Sequence, residues 1–443
     1  MHSAMFEMRL KLPSLYRTHC VCARIFCIPR DKETYFSRDQ YHNLSNPLCE
    51  MHAIEERYYQ INRIFLKTLG IWPYQHSFLA LVQRVLFSTI LFTFIIVQLL
   101  AFFTMQFSTG LLIRILTFVF PNLFVTVKYC SFAMKADKVK QLMELIDNDL
   151  DLLKDDLDID IIKKYADNVR FMTIIAMVFC HFGTSCYLIL QLLPLILDVI
   201  VPLNASRSLN LLAITEYFVN REKYACVILL HELLTIYVGT ITLCSTGLIF
   251  MTHLLHGCAL LKVACRRMKH AIQKNFLAMP NPVKEYLLYE RIVDIVFIHR
   301  RAIQFHETTV SGFMVSIAFL IIIGVTSLSL NLFHLLQLMT VTYDIGEISI
   351  IFLLVVFHVN YMFVLNYGGE ELQNHGMELF QVTYNGLWYA APLRTQKLLL
   401  FIMQKTRVKM TFVCGGIFVA SLEGFVTLVN TAVSYFTVIY STR

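Results

Sequence analysis

Residues 85–107, VLFSTILFTFIIVQLLAFFTMQF, contain no charged side chain over a length that exceeds the roughly 20 helical residues needed to cross a bilayer. The whole chain of 443 residues is 57% hydrophobic and 16% charged, whereas soluble domains have about 25% charged residues. The sequence therefore predicts an all-α, polytopic membrane protein with seven transmembrane helices. Six further segments are similarly long and apolar, at residues 111–133, 171–197, 225–252, 311–338, 346–367 and 411–440.

Basic residues are concentrated in alternate connections between these spans. Of the 38 Lys and Arg residues, 32 lie in residues 1–84, 134–170, 253–310 and 368–410, which share one side of the membrane. Because basic segments remain in the cytoplasm, we expect a cytoplasmic N-terminus and an extracellular C-terminus. The net charge of +7 is then explained by the cytoplasmic segments and does not indicate a nucleic-acid partner. Asn204 begins an Asn-Ala-Ser sequon in a predicted outer loop and is a candidate glycosylation site.

The basic segments also keep apolar residues at helical spacing, for example at Leu142, Leu145 and Ile146. We therefore expect helices 4–6 to extend below the membrane into a cytoplasmic anchor domain. The acidic run from Asp147 to Asp160 lacks the glycine and the terminal glutamate of a calcium-binding EF-hand loop, and we interpret it as a solvated helix face. The twelve cysteines include no Cys-x-x-Cys pair, so no metal site is predicted.

The seventh span carries a continuous polar stripe. A helix that lines a water-filled path needs such a side, whereas Ser and Thr hydroxyls bonded to neighbouring helices are the alternative interpretation. The charged member, Glu423, would serve conduction or pair with a basic residue. The stripe recurs at intervals of three or four residues, through Glu423, Thr427, Asn430, Ser434, Thr437 and Ser441.

Other classes of membrane protein fit the sequence less well. G-protein-coupled receptors have their N-terminus outside and carry Asp-Arg-Tyr and Asn-Pro-x-x-Tyr signatures, which this chain lacks. Transporters usually contain paired inverted repeats, and none is visible. An enzyme would need a nucleophile with a base or a metal cluster, and only His231-Glu232 stands out. We therefore predict no catalytic residue and no cofactor.

The last third of the chain resembles the C-terminal signature of insect odorant receptors. Residues 58–75, YYQINRIFLKTLGIWPYQ, are similar to the usual start of that family. Gustatory receptors are the alternative, but their last helix usually has Thr-Tyr-x-x-x-x-x-Gln-Phe where this chain has VSYFTVIY. The matching elements are Gly369, Glu371 and Leu372, then Trp388-Tyr389 with Pro392, Gln396-Lys397 followed by LLLFIM, Gly416 through Leu422, and the terminal SYFT.

The resemblance implies a division of the chain into four parts. The family normally begins near Met51, so residues 1–50 are interpreted as a disordered leader or a gene-model extension. Residues 51–367 then hold helices 1–6 and the ligand pocket, and residues 368–410 form a cytoplasmic anchor segment. Residues 411–443 form the pore-lining helix 7.

The resemblance also implies a ligand-gated, non-selective cation channel in the plasma membrane of olfactory sensory neurons. Four subunits surround one pore lined by helix 7, and a tuning subunit such as this one joins a co-receptor subunit in a heterotetramer. Val438 matches the family's hydrophobic constriction, with Thr442 one turn further out where an apolar residue often stands. Thr437 and Ser441, with Ser434, are the expected polar lining.

The anchor segment is expected to join the subunits. Trp388, Tyr389 and Pro392 should set a turn before the helix that contains QKLLLFIMQ. That helix is expected to present three apolar side chains to partner subunits, namely Leu399, Ile402 and Met403.

The resemblance places an odorant pocket in the outer half of the bundle, between helices two, three, four and six. A site for small volatile molecules should be apolar and aromatic with few polar groups. Tyr187 is favoured because it lies one turn after Gly183, and His231-Glu232 would bond either a polar ligand or itself. Each candidate also fits ordinary core packing. The candidates are Phe118, Phe120, Gly183, Tyr187, Ile228, His231 and Phe352.

Overall fold

The computed structural model confirms the predicted class, because the chain is mainly helical and seven of its helices are long and apolar enough to cross a membrane. The predictions made for residues 1–50, Asn204 and Thr442 lie outside the described residues. The structure describes residues 60–75, 77–200, 213–221, 223–271, 283–414 and 418–441.

The described chain forms nine named helices, with a strand pair before the last one. All except α3 and α8 have the length and composition of a membrane span. A short helical stretch at residues 60–68 precedes them. In chain order they are α1 (Phe78–Thr104), α2 (Thr109–Met134), α3 (Ala136–Leu152), α4 (Asp156–Ile200), α5 (Ala225–Ala271), α6 (Val283–Gln337), α7 (Ile345–Asn385), α8 (Leu393–Arg407) and α9 (Leu422–Ser441).

Helices α4 to α7 are much longer than a bilayer requires. At about 1.5 Å per residue, the 55 residues of α6 extend about 80 Å, whereas the apolar core of a bilayer is about 30 Å thick. The surplus lies at the end of the bundle that carries α3 and α8, which we call the proximal end. The opposite end, with the connection at residues 105–108, is the distal end. The fourth, fifth and sixth spans, which are α5, α6 and α7, were expected to be extended. The third span, α4, is extended as well.

The proximal part contains buried ion pairs. Asp158 on α4 accepts hydrogen bonds from Nε of Arg266 and Nε of Arg267 on α5, each at 2.8 Å. Asp149 on α3 is 3% exposed and pairs with Arg301 on α6. The interpretation of the acidic run as a solvated helix face is therefore wrong for these two carboxylates. They are buried because guanidinium groups from other helices compensate their charge.

The segment before α8 forms the predicted turn. Trp388–Ala390 is a single 3-10 turn, and Pro392 precedes the first residue of α8. The side-chain amide of Gln396 donates to the carbonyls of Tyr389 and Ala391, both at 2.8 Å. These bonds explain why this turn is followed directly by a helix.

The predicted outward face of α8 is wrong. Leu399, Ile402 and Met403 are buried within the subunit, where Leu399 and Ile402 join the main apolar core. The outward apolar side chains are instead Leu400 and Phe401, which are about half exposed. The two sets alternate because a helix has 3.6 residues per turn, so adjacent positions face different sides.

The seventh span begins later than predicted. Phe412–Cys414 (β1) and Phe418–Ala420 (β2) form an antiparallel strand pair, as β-branched and aromatic residues favour. Ser421 follows and caps the last helix, since its hydroxyl accepts a hydrogen bond from the backbone N–H of Gly424 at 3.0 Å. The helix α9 therefore starts at Leu422.

Candidate functional site

A cavity of about 260 Å³ lies in the distal half of the bundle, mainly between α2, α4, α5 and α7. We call it the distal cavity. Aromatic rings form much of its wall, from Phe118 and Phe124 on α2, Phe179 and Phe182 on α4, and Phe357 on α7. A concave site of this size with an apolar, aromatic wall suits a small organic molecule.

Three of the predicted ligand-binding residues line the distal cavity. Phe118, Gly183 and Tyr187 are brought together there from α2 and α4. A Cβ atom added to Gly183 would meet no atom within 4 Å, so the space beside this glycine is open. The hydroxyl of Tyr187 donates to the carboxylate of Glu232. The role of these residues in ligand binding stays a prediction.

The other four predicted residues are not part of the cavity wall. Phe120 is half-buried on α2, Ile228 is buried near the start of α5, and Phe352 is 54% exposed on α7. The cavity side of α7 follows helical spacing, through Leu353, Phe357 and Tyr361, and Phe352 lies off this spacing. The spacing of four residues, counted back from Tyr361, is a sequence signal that would have found Phe357 and Leu353 as cavity residues.

The fourth of these residues, His231, is engaged elsewhere. Its Nδ1 is 2.8 Å from the hydroxyl of Tyr217, and its Nε2 is 3.1 Å from the hydroxyl of Thr93 on α1. His231 and Glu232 therefore do not pair with each other. Neighbouring helical positions point about 100° apart, so His231 faces α1 while Glu232 faces the cavity.

Of the two neighbouring residues that the sequence suggested as partners of a polar ligand, it is Glu232 and not the candidate His231 that lines the cavity. The Glu232 side chain is 2% exposed and accepts hydrogen bonds from the Tyr187 hydroxyl and from Nε2 of Gln191, the latter at 3.3 Å. A carboxylate offers about four acceptor positions, so two donors leave capacity for a ligand hydroxyl or N–H.

The remaining hydroxyls of the cavity are already hydrogen-bonded within the protein. Those of Thr184 and Thr240 lie 3.0 Å apart, and that of Thr235 donates to a backbone carbonyl at 2.9 Å. His358 is bonded to the hydroxyl of Ser327 at 2.9 Å. The cavity therefore presents a largely apolar wall, and Glu232 is the one carboxylate among its lining residues, all of which belong to the described chain.

The polar stripe of α9 faces away from its own bundle. All six positions from Glu423 to Ser441 are exposed. Leu428 and Ala432 on the opposite side are buried against α6 and α7. Within the described part of the chain, the stripe hydroxyls bond their own helix and not a neighbouring one. These bonds run from Thr427 to the Glu423 carbonyl, from Ser434 to Asn430, from Thr437 to Ser434 and from Ser441 to Val438, at 2.7–3.0 Å.

The predicted gate residue lies beside this stripe. Val438 is 58% exposed, and the flanking Thr437 and Ser441 are exposed with it. Thr442, the residue predicted one turn further out, lies outside the described residues. The carboxylate of Glu423, in the first turn of α9, forms no ion pair with a basic residue of the described chain.

The start of α9 is fastened to α7. The side-chain oxygen of Asn366 accepts from the backbone N–H of Ser421 at 3.2 Å, and Glu370 accepts from that of Leu422 at 3.1 Å. Between them, Gly369 lies so close to β2 that a Cβ atom would clash with its backbone. The helix that forms a wall of the distal cavity therefore also holds the first residue of α9.

Comparison with known proteins identifies similar receptors. The 7tm odorant receptor family model matches residues 108–433. Odorant receptor 10 of Aedes albopictus is 23% identical over 149 residues, which span 34% of this chain and 39% of that relative. The structure of the insect olfactory receptor OR5 from Machilis hrabei aligns with a TM-score of 0.72 at 16% identity, over 89% of this chain and all of that one. The same receptor in complex with eugenol gives a TM-score of 0.71 at 16% identity over 90% of this chain and all of that one.

Proposed function

Since this chain belongs to the 7tm odorant receptor family, we propose that it is the ligand-specific subunit of a ligand-gated, non-selective cation channel opened by small volatile molecules. The observation that carries the proposal is the connection, through α7, of an apolar cavity to a helix with an outward polar stripe. The cavity supplies a binding site, and the stripe supplies a wet surface outside the subunit.

The cavity favours a small, largely apolar ligand with one hydrogen-bond donor. Its aromatic wall provides contact area, and Glu232 accepts a hydrogen bond from the ligand while Tyr187 orients that carboxylate. The related receptor that was solved with eugenol, a small phenol, has the same fold. A volatile alcohol or phenol is therefore the ligand class that we propose.

The pore is proposed to form when four subunits, including a co-receptor subunit, bring their last helices together. The stripe of α9 then lines a hydrated path, and Val438 narrows it with an apolar ring that closes by excluding water. The exposure of Val438 beside the stripe supports this role.

The proposed orientation places the proximal end in the cytoplasm. The support is the distribution of charge, since 32 of the 38 basic residues lie in the alternate segments that the sequence assigns to one side of the membrane, and these segments include α3 and α8 of the proximal end. The distal cavity then opens toward the outer leaflet of the plasma membrane of an olfactory neuron. Asn204, between α4 and α5, would be on the extracellular side, where it is available for glycosylation.

Co-expression with a co-receptor subunit and a panel of volatile alcohols and phenols tests this function. We expect an inward cation current that persists when G-protein signalling is blocked. Val438→Lys should abolish or strongly reduce the current because a positive charge at the constriction repels cations, whereas Val438→Ile, the matched control, should keep it. A current that needs G-protein coupling would overturn the channel, and one unchanged by Val438→Lys would overturn the gate position.

A further inference from the structure

A second and smaller cavity, of about 90 Å³, lies on the proximal side of the first. We call it the proximal cavity. It is enclosed by α2, α5, α6 and α7, and it reaches the strand pair and Leu428 at the start of α9. Phe124, Tyr361 and Met362 line both cavities and form the partition between them. The proposed odorant binding uses the distal cavity and the proposed conduction uses α9, so neither function requires the proximal cavity.

Lys128 is the single formally charged side chain among the residues that line the proximal cavity, all of which belong to the described chain. It is 5% exposed, donates a hydrogen bond to the hydroxyl of Tyr361, and lies 4.8 Å from the centre of that ring. An ammonium group in a membrane-spanning helix is costly to bury unless an anion compensates it. Here the lining contains no Asp or Glu.

Polar groups converge on the same cavity one turn further along α2. The hydroxyl of Ser131 donates to that of Ser316 on α6 at 2.6 Å, and Nζ of Lys135 donates to the same oxygen at 3.0 Å. Ser316 thus accepts two hydrogen bonds, which leaves its own hydroxyl hydrogen to donate. The cavity wall therefore contains the ammonium group of Lys128 and the hydroxyl of Ser316, which is a neutral donor. The ammonium group of Lys135 is bonded to the oxygen of that hydroxyl.

We propose that the proximal cavity is a second ligand site, which binds a short-chain carboxylate through the ammonium group of Lys128 and the hydroxyl of Ser316. An ammonium–carboxylate hydrogen bond is charge-assisted, and it supplies the missing counter-charge. The apolar wall, with Phe250 and Phe313, accommodates the hydrocarbon tail. A cavity that admits benzene, with six heavy atoms, measures about 150 Å³, so the volume of 90 Å³ limits the whole ligand to about four or five heavy atoms, as in acetate or propionate.

This site is independent of the proposed channel function, because it needs only the folded subunit. Its test is the binding of radiolabelled acetate to the full-length chain in phosphatidylcholine nanodiscs, with no current measured. We expect saturable binding that unlabelled acetate and propionate displace and that butylamine, which has about the size of propionate and the opposite charge, does not. If the chain binds acetate in this assay but the co-expressed subunits carry no odorant-evoked current, the proposed function is refuted and this site is intact.

Variants locate the site. Lys128→Met should weaken acetate binding at least about tenfold, as expected for loss of a charge-assisted hydrogen bond. Lys128→Arg should retain most of it, and so should the control Lys223→Met, which removes an exposed lysine at the distal end. Ser316→Ala should give a smaller loss than Lys128→Met.

Three results would overturn the assignment. They are unchanged binding in Lys128→Met, equal displacement by propionate and butylamine, and displacement by oleate in the bilayer but not by short acids. If Lys128→Met does not fold, the competition on the unaltered chain decides. Displacement by propionate and not by butylamine then supports the site, and the opposite pattern refutes it.

Discussion

The buried carboxylates Asp149 and Asp158 of the proximal half have charged partners, whereas the buried carboxylate beside the distal cavity has neutral partners. In the proximal half, Asp158 is shared by Arg266 and Arg267, so charge is compensated by charge. In the distal half, Glu232 is equally buried but is held by two neutral donors, Tyr187 and Gln191. A compensated charge fixes the packing of the helices around it, whereas a carboxylate with neutral partners keeps the capacity to accept another bond.

The two halves also differ in how they are filled. The main apolar core includes most of the proximal length of α5, with side chains such as Leu261 and Ala264 fully buried. The distal half instead encloses a cavity of about 260 Å³. The proximal length of α5 is therefore closely packed, whereas its distal length, around Glu232, borders the distal cavity.

The largest effect is expected from breaking the proximal pairing. Asp158→Asn removes a fully buried carboxylate charge from two partly buried guanidinium groups, and removal of one partner of a buried ion pair typically costs about 3–5 kcal/mol. Thermal unfolding of the purified protein should show a clearly lowered midpoint. Asp160→Asn, an exposed aspartate two positions on, is the matched control and should unfold as the unaltered chain does. Equal melting of the two variants would contradict the comparison.

In the distal half, the corresponding change should affect ligands more than stability. Glu232→Gln keeps the shape but removes the charge, so ligands with a hydroxyl should need about tenfold higher concentration, the equivalent of roughly 1.4 kcal/mol. Concentration–response curves for a matched alcohol and hydrocarbon measure this effect. The hydrocarbon serves as the control, because it cannot donate to Glu232. A shift of equal size for both would mean that the carboxylate acts only through the shape of the cavity.

Filling the distal cavity sharpens the same contrast. Gly183→Leu places a side chain in open space, so stability should change little while ligands of the largest size lose potency, by up to about tenfold per excluded methylene. Gly239→Ala, whose added methyl group would make only ordinary contact with Val125, is the control. Thermal unfolding together with potency across an alcohol series gives both quantities. A large loss of stability in Gly183→Leu would show that this space is not open.

The smallest effect belongs to the edge of the proximal network. A hydrogen bond from Arg266 lowers the pKa of Asp155, with the positive charges of Arg266 and Arg267 acting in the same direction against partial burial. This stabilisation is complete above the ordinary aspartate pKa and is lost as pH falls through the lowered value. Since Asp155 is about half exposed, Asp155→Asn should cost at most about 1 kcal/mol at neutral pH. As pH falls toward 3, the melting temperature of Asp155→Asn should approach that of the unaltered chain. A difference between the two melting temperatures that stays constant with pH would exclude this ion pair as its cause.

The spans could be predicted because a membrane imposes a simple length and composition on each helix. The ion pairs could not, because Asp158 and Arg266 are 108 positions apart in the sequence and only the packed bundle brings them together. The strand pair before α9 was missed because a short apolar run has no periodicity that separates strand from helix.

The cavity residues show a finer limit of the same kind. Phe118 and Tyr187 could be chosen from their place on the spans, but the choice between His231 and Glu232 depends on the rotation of α5 by a single position. That rotation is set by packing against α1 and α4, which no local pattern reveals. Phe352 illustrates the same point on α7, where it is aromatic and suitably placed along the helix but on the wrong side.

The outward stripe of α9 also bears on how the protein is made. A newly inserted subunit that has no neighbour exposes the amide of Asn430 and the carboxylate of Glu423 to hydrocarbon, where polar groups are unfavourable. The stripe hydroxyls reduce this penalty because they bond their own helix. If the last helices assemble around a pore as proposed, assembly covers this stripe and becomes part of maturation, and an orphan subunit would carry on its surface a feature that quality control in the secretory pathway can detect.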